Sequence, residues 1–464
     1  MEPRASHVEA VILAAGKGRR MVSALPKVVH RICGRAMVVY VLETLAEVGI
    51  ASPIVVVGHE SDQVQTALGA RARYVVQGEQ LGTGHAVIQA LPLLEGFAGT
   101  VLILYGDVPL LRSETLETLL AHHHAQGAAA TVLTDLREDP TGYGRIVRDT
   151  NGNVRRIVEE LDTSPDEREV REINAGTYAI EAGALRDALR LVQPANAQGE
   201  YYLTDVIGLL LERGHTVAAV VAGDSQETMG INSRRELAEV EAVMRRTILG
   251  VLMDGGVTVI DPATTFVHAG VQVGRDTVLH PGVHLEGATT VGEGCTIGPN
   301  ARLVDAQIGS RVTVVASTIT KSSVDDDSRV GPYSNLRAGV RLGRFVEVGN
   351  YAEMKNATIG DHTKVHHMAY IGDATVGTGV NIGAGTVTCN YDGRAKHATI
   401  IEDGAFIGSD TMLIAPVRIG REGVTGAGSV VKRDVPARAV AVGVPARVIR
   451  RLPAAEHPVP EPVE

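Results

Sequence analysis

Val291-Gly292-Glu293-Gly294-Cys295-Thr296-Ile297-Gly298-Pro299-Asn300-Ala301-Arg302-Leu303 puts an aliphatic at every sixth place (Val291, Ile297, Leu303) and a compact residue four places after, at Cys295 and Ala301. A period of six is neither the 3.6 of a helix nor the unbroken 2 of a long strand. It fits short strands interrupted by a turn every six residues. Three such rungs make a triangular coil, and stacked coils make a parallel β-helix. Working outward, the frame begins at Val273, Leu279 and Leu285. After one shortened step to Ile308 it runs on through Val314, Val330, Leu336, Leu342, Val348, Met354, Ile359, Val365, Ile371, Val376 and Ile382, and returns at Ile407, Leu413 and Ile419. The compact companions include Thr277, Val283, Thr289, Val346, Ala352, Ala369 and Thr386. The spacing predicts inward aliphatics with small residues filling the corners beside them. Thr388–Thr399 breaks the frame and is expected to protrude as a loop. The Pro-containing tail beyond Val444 is expected to be loosely ordered at its end.

Upstream the pattern changes. Val8–Ala15, Pro53–Gly58, Ala72–Gln77 and Thr100–Tyr105 read as strands; Met37–Val48, Asp62–Leu68, Gly84–Leu91 and Glu114–Ala125 read as helices between them. That alternation predicts βαβ units and a mostly parallel, Rossmann-like sheet. Arg145–Arg148 and Val154–Val158 read as a hairpin around Asn151–Asn153. Ser233–Gly250 reads as a connecting helix capped by Ser233 or Asn232. The expected organisation is an α/β domain over 1–232, a linker helix within 233–254, and a β-helix domain with its tail over 255–464.

Composition narrows the function. With 464 residues, 44% hydrophobic and 21% charged, the chain is long enough for more than one core. A net charge of −10 argues against nucleic acid as a bulk partner. Phosphate ligands must then be met by local cations, backbone N–H groups or a metal. The three cysteines, Cys33, Cys295 and Cys389, form no CxxC pair, which fits free thiols in a reducing cytoplasm. No apolar run approaches the ~18 residues of a membrane span, and the N-terminal segment lacks the form of a signal peptide.

The first chemical constellation is Leu13-Ala14-Ala15-Gly16-Lys17-Gly18-Arg19-Arg20-Met21 with Pro26-Lys27 behind it. Glycines after a buried strand let backbone N–H groups approach phosphates, and Arg20 and Lys27 can neutralise them. A bare GxG would equally suit a tight turn, and no Gly-Lys-Ser/Thr ending makes this a Walker loop. Tyr105-Gly106-Asp107 ends a strand where open parallel sheets bind ligands, making Asp107 a candidate Mg²⁺ ligand or an Asp turn before Pro109.

The second constellation comprises polar residues that interrupt the coil: Arg337, Lys355, His367, Tyr370, Asn381, Asn390, Tyr391 and Ser409. Inward polar groups would be costly, so these are expected outside or at coil edges. Arg337 and Lys355 suit a sugar phosphate, and His367 can take a proton from an attacking amine.

On these motifs, with Gln80-Leu81-Gly82-Thr83-Gly84-His85, Glu172-Ile173-Asn174-Ala175-Gly176, Gly230-Ile231-Asn232, Asn350-Tyr351-Ala352-Glu353-Met354-Lys355 and Thr388-Cys389-Asn390-Tyr391, the chain resembles the bacterial bifunctional N-acetylglucosamine-1-phosphate uridylyltransferase/glucosamine-1-phosphate N-acetyltransferase family. The resemblance covers nearly the whole chain, from Val11 to about Pro445. It implies a left-handed β-helix, a homotrimer, UTP and acetyl-CoA as co-substrates, and Mg²⁺. It implies that Leu13, Ala14, Ala15, Gly16, Gln77, Gly82 and Thr83 hold uracil and ribose, with Tyr105 and Gly106 in the same site. Gly144, Glu159 and Asn174 would hold the N-acetylhexosamine, Asp107 and Asn232 the metal, and Arg20 and Lys27 the phosphate charge. In the second site it implies Arg337, Lys355, Tyr370 and Asn381 for glucosamine 1-phosphate. It implies Ala384, Asn390, Tyr391, Ser409 and Ala427 for acetyl-CoA, His367 as base and Glu353 as its orienting partner. Two departures stand out: Arg19 replaces the family's common Thr, and Gly443-Val444-Pro445-Ala446-Arg447 lacks its C-terminal Arg, with Arg447 the nearest substitute.

Other features read as structural. His122-His123-His124 ends a helix, where adjacent residues do not share a face. Asp325-Asp326-Asp327 fits no EF-hand and suits a solvated corner. His366 and His367 should point to opposite faces of a strand. Cys389 reads as a bystander, and Glu200-Tyr201-Tyr202 as a pocket wall or packing. Two other readings remain open: a single-function nucleotidyltransferase with a structural or regulatory β-helix, and a non-enzymatic trimeric scaffold.

Overall fold

The structure is a computed structural model that describes residues 8–58 and 61–453. The far end of the tail, expected to be loosely ordered, lies outside the described residues. Two compact units divide at Met244/Arg245, and the helix Arg234–Asp254 runs through that division. The helix passes Gly250, where the sequence reading ended it. It stops at Gly255-Gly256, where Gly256 takes φ +90° and Val257 N–H bonds the Leu252 carbonyl at 3.0 Å. Ser233 is the cap: its Oγ accepts from Glu236 N–H at 3.3 Å.

The first unit is built on a sheet in the order Val217–Val221, Ala130–Leu136, Glu172–Glu181, Thr100–Tyr105, Val8–Ala14, Ile54–Val57, Arg73–Val76. All neighbours are parallel except Glu172–Glu181, which runs against both of its partners. Central strands covered on both faces have no polar side, hence the unbroken apolar runs Ala10-Val11-Ile12 and Val101-Leu102-Ile103, all fully buried. The expected hairpin Arg145–Arg148/Val154–Val158 is present and joins the sheet through Ile173↔Arg145. The strand ends carrying Ala14, Val57 and Tyr105 thus share one rim, beside the hairpin.

The second unit is the expected coil of short parallel strands. Val278 pairs with Thr296, eighteen residues on, and Thr296 with Thr313, seventeen on, the shortened step before Ile308. Turns every six residues require left-handed backbone. Asn300, Ala316, Tyr333, Tyr351 and Met368 therefore hold φ between 41° and 59°, and Arg311, Asp327, Phe345 and His362 hold φ between 58° and 63° along a second edge. Backbone bonds link each corner to the one below, as from Met368 N–H to the Asn350 carbonyl at 2.9 Å. Inside, the compact residues do more than fill space: the Thr277 hydroxyl donates to the Gly292 carbonyl (2.8 Å) and accepts from Cys295 N–H (3.1 Å), tying two coils together. The recurrent Gly after the aliphatic is also explained, since a Cβ at Gly274 would lie 2.6 Å from the Gly292 backbone one coil on. The frame-breaking loop is narrower than expected. Thr388 is buried in the strand Val387–Cys389 and Thr399 opens the next, leaving 390–398 outside the ladder.

Candidate active sites

At the strand-end rim of the first unit, Leu13 to Arg20 surround a cavity of about 730 Å³ together with Lys27. The same cavity is lined by Gln77, Gly82, Thr83, Tyr105 and Asp107, by Gly144, Glu159 and Asn174, and by Asn232. Gly106 is the exception among the expected residues: its N–H bonds the Leu13 carbonyl at 3.0 Å and holds the two central strand ends together. Gln80 fixes the glycine loop by donating from Nε2 to the Ala15 carbonyl at 2.7 Å. Gln77 donates to the Gly82 carbonyl at 3.1 Å. Gly82 sits at φ +109° with Tyr201 backbone 2.5 Å from where a Cβ would lie, so only glycine fits. The Glu200–Tyr202 stretch is clasped there by Tyr201 N–H to the Leu81 carbonyl and Gly84 N–H to the Tyr201 carbonyl, each 2.8 Å. It is wall and packing, as expected.

Asp107 and Asn232 meet. The Lys27 ammonium contacts the Asp107 carboxylate and lies 3.0 Å from the Asn232 amide oxygen. Ile231 N–H bonds the Asp107 carbonyl at 3.0 Å, pinning the two loops. A carboxylate and an amide oxygen converging on one cation are a hard-oxygen set, and such a pair fits Mg²⁺, which completes its shell with phosphate oxygens and water. Deeper in, Glu159 accepts from the Thr204 hydroxyl at 3.0 Å, and burial raises its carboxyl pKa. Asn174 donates to the Tyr178 hydroxyl at 2.6 Å and accepts from Gly176 N–H at 3.1 Å, which fixes its amide. Burial also raises the Tyr105 phenol, keeping it a donor.

On the β-helix, His367 is exposed at the end of the strand Lys364–His367. Its carbonyl accepts from Gly385 N–H (3.3 Å), the Ala384 carbonyl from Asp410 N–H (2.6 Å), and the Ser409 carbonyl from Gly428 N–H (2.8 Å). His367, Ala384, Ser409 and Ala427 therefore climb one edge, a coil apart. Asn390 anchors the protruding loop by donating to Asp373 at 2.6 Å, and Tyr391 stands on that loop, 61% exposed. Arg447 is exposed on the strand Ala446–Arg451 opposite Val442, whose side chain meets Gly426 beside Ala427.

The sugar-phosphate candidates divide. Arg337, Lys355 and Tyr370 occupy successive coils of one face, where Lys355 pairs in register with Gly372 and Tyr370 with Glu353. Asn381 is on another face, in the ladder Lys364–Asn381–Phe406. Glu353, expected to orient His367, pairs with Arg337, 2.8 Å from Nη1, because the coil sets Glu353 next to the cation one storey below. Sequence reasoning missed Lys396, whose ammonium, followed by the Arg337 guanidinium, lowers the Lys355 pKa. The signal was a cation within the frame-breaking segment. His366 and His367 do not point apart: their rings lie 5.8 Å from each other, because strand alternation ends at the Met368 corner. Cys389 has its pKa raised by burial, opposite to an activated thiolate. Asp326 and Asp327 are corner residues bonded to Ser310 N–H and Arg311. His123 is buried against Thr131 at 3.0 Å. Among the described residues no group of three His, Cys, Asp or Glu could hold a metal, and no helix is long and apolar enough to cross a membrane.

Comparison with known proteins agrees with both halves. Residues 9–228 match the nucleotidyl transferase family, and 270–304 match the bacterial transferase hexapeptide (six repeats) family. The bifunctional protein GlmU of Heliobacterium modesticaldum is 51% identical over 433 residues, covering 93% of this chain and 94% of that protein. Its counterpart in Brevibacillus brevis is 49% identical, covering 94% and 95%. That of Pelotomaculum thermopropionicum is 54% identical over 408 residues, covering 88% and 89%. Identity near one half across both units, with the strand-end pocket and the His367 edge in place, makes this chain a member of the bifunctional GlmU family.

Proposed function

We propose that the β-helix acetylates glucosamine 1-phosphate from acetyl-CoA and that the α/β unit then transfers UMP from UTP to the product, releasing diphosphate and UDP-N-acetylglucosamine. The observation that carries the reading is the pairing, in one chain, of a glycine-loop pocket closed by Lys27, Asp107 and Asn232 with an edge where His367 heads a file of small residues.

In the first site the sugar phosphate oxygen bonds to the α-phosphorus of UTP as the α–β bridge breaks. Asp107 and Asn232 would hold Mg²⁺, which when bound would neutralise phosphate oxygens and polarise the phosphorus centre. Lys27 moves from those oxygens to the phosphates, where it and Arg20 stabilise the charge of the departing diphosphate. Gly144, Glu159 and Asn174 orient the acetylated sugar, so positioning and electrostatics supply the rate without a protein nucleophile. In the second site Arg337, Lys355 and Lys396 hold the phosphate dianion. His367 takes a proton from the amine as its nitrogen bonds to the thioester carbonyl; the C–S bond breaks and the thiolate is reprotonated.

Ala384, Ser409 and Ala427 leave room along the edge for the acetyl-CoA arm, with Asn390 and Tyr391 beside it. The division of Arg337, Lys355 and Tyr370 from Asn381 between two faces supports a homotrimer, in which faces of neighbouring coils close one site. The reaction belongs in the cytoplasm, where its co-substrates are made. The test is to supply glucosamine 1-phosphate, acetyl-CoA, UTP and Mg²⁺ and to look for UDP-N-acetylglucosamine. Product from N-acetylglucosamine 1-phosphate but none from glucosamine 1-phosphate would leave only the nucleotidyltransferase half of the reading standing.

A further inference from the structure

Behind the first pocket lies an arginine outside its lining. Arg137 follows the strand Ala130–Leu136 and is largely shielded from solvent. Its Nε donates to buried Asp135 at 2.8 Å, and its Nη2 donates to the Thr228 hydroxyl at 2.8 Å and the Ser225 carbonyl at 3.0 Å. The Thr228 hydroxyl in turn donates to Asp135 at 2.7 Å. The guanidinium also lies 5.3 Å from the Tyr143 ring centroid. Both ends of this bridge line the cavity. Tyr143 precedes Gly144, whose carbonyl takes Asn174 N–H at 2.8 Å. Thr228 begins the run to Asn232. One planar cation with a buried counter-ion therefore ties the loop facing the sugar to the loop facing the metal, at donor geometry that Lys cannot reproduce.

We infer that Arg137 is a positioning residue for uridylyl transfer, which sets the sugar-1-phosphate subsite in register with the metal-bearing loop. The inference rests on the proposed function of this pocket. In the trimeric or monomeric enzyme as purified, Arg137→Gln raises the KM for N-acetylglucosamine 1-phosphate and the Mg²⁺ concentration for half-activity together, each about tenfold, as expected for lost orientation. The acetyl-transfer rate stays within about twofold of wild type, since that site does not depend on this bridge. Arg137→Lys, which keeps the charge and favours folding, retains less than half of the lost affinity because the fork is gone. Tyr143→Leu combined with Arg137→Gln is less than additive on the sugar KM, because both break one connection. Wild-type constants in either Arg137 variant would overturn the inference, as would full rescue by Lys, additive effects, or a parallel loss of acetyl transfer. Failure of the wild-type enzyme to use N-acetylglucosamine 1-phosphate would instead overturn the reading of the pocket.

Discussion

The two units handle phosphate esters in opposite ways. In the α/β unit the site is a cavity beyond strand ends, walled by one chain, where burial raises the carboxyl of Glu159; outside its lining, burial followed by Asp162 raises Asp205 to about 6. On the β-helix the candidate residues are outside apart from Asn390, which is buried, and several carboxylates are held ionised by cations on neighbouring coils. Arg302 lowers Glu286, Arg311 lowers Asp327 and Arg418 lowers Glu402. A loop-built pocket draws its specificity from desolvation, while a coil draws it from repetition, each storey placing a side chain where its neighbour can reach it.

The contrast can be broken by separating the two activities. Asp107→Ala is expected to lower uridylyl transfer about a thousandfold while acetyl transfer stays intact, because one hard ligand of two is lost. His367→Ala is expected to do the reverse, lowering acetyl transfer at least about a hundredfold. Separate assays with preformed N-acetylglucosamine 1-phosphate and with glucosamine 1-phosphate decide both; loss of both activities in either folded variant would refute two independent sites.

Acid sharpens the comparison further. A carboxyl whose pKa is raised by folding, such as Asp205, favours the folded state below its unfolded pKa, and that contribution disappears as pH rises through about 6. The lowered carboxylates of the coil contribute above about pH 4 and lose that contribution on further acidification. Calorimetry should therefore show the α/β unit gaining stability from pH 7 to 5, and Asp205→Asn should flatten that slope while leaving the coil's transition unchanged. The smallest effect is expected from Thr277→Val, which keeps the shape but deletes both inter-coil bonds of the hydroxyl. It should cost about 1 kcal/mol in the β-helix transition alone.

What the sequence made readable follows the range of each signal. Six-residue spacing is a local backbone property, so the coil, its buried Thr277 and Cys295 positions and the protruding loop could be seen in advance, as could the strands ending at Ala14 and Tyr105. The glycine loop and Asp107 sit directly after such strands and were equally accessible. Partnerships between distant positions were not. Glu353 finds Arg337, and Lys396 finds Lys355, because a coil sets residues sixteen or more places apart against each other. Arg137 meets Thr228 across 91 residues, which no spacing rule foretells.

The repeat length has a consequence for how such a chain can vary. Because Val278 stands over Thr296 eighteen places later, excising one complete circuit below the catalytic edge would lower the tower by a floor and return every later side chain to its own compass bearing. Excising six residues would shorten it less yet rotate everything above by a third of a revolution, swinging the imidazole and the small residues over it together away from the bearing of the coils beneath. Height is negotiable in this architecture; phase is not.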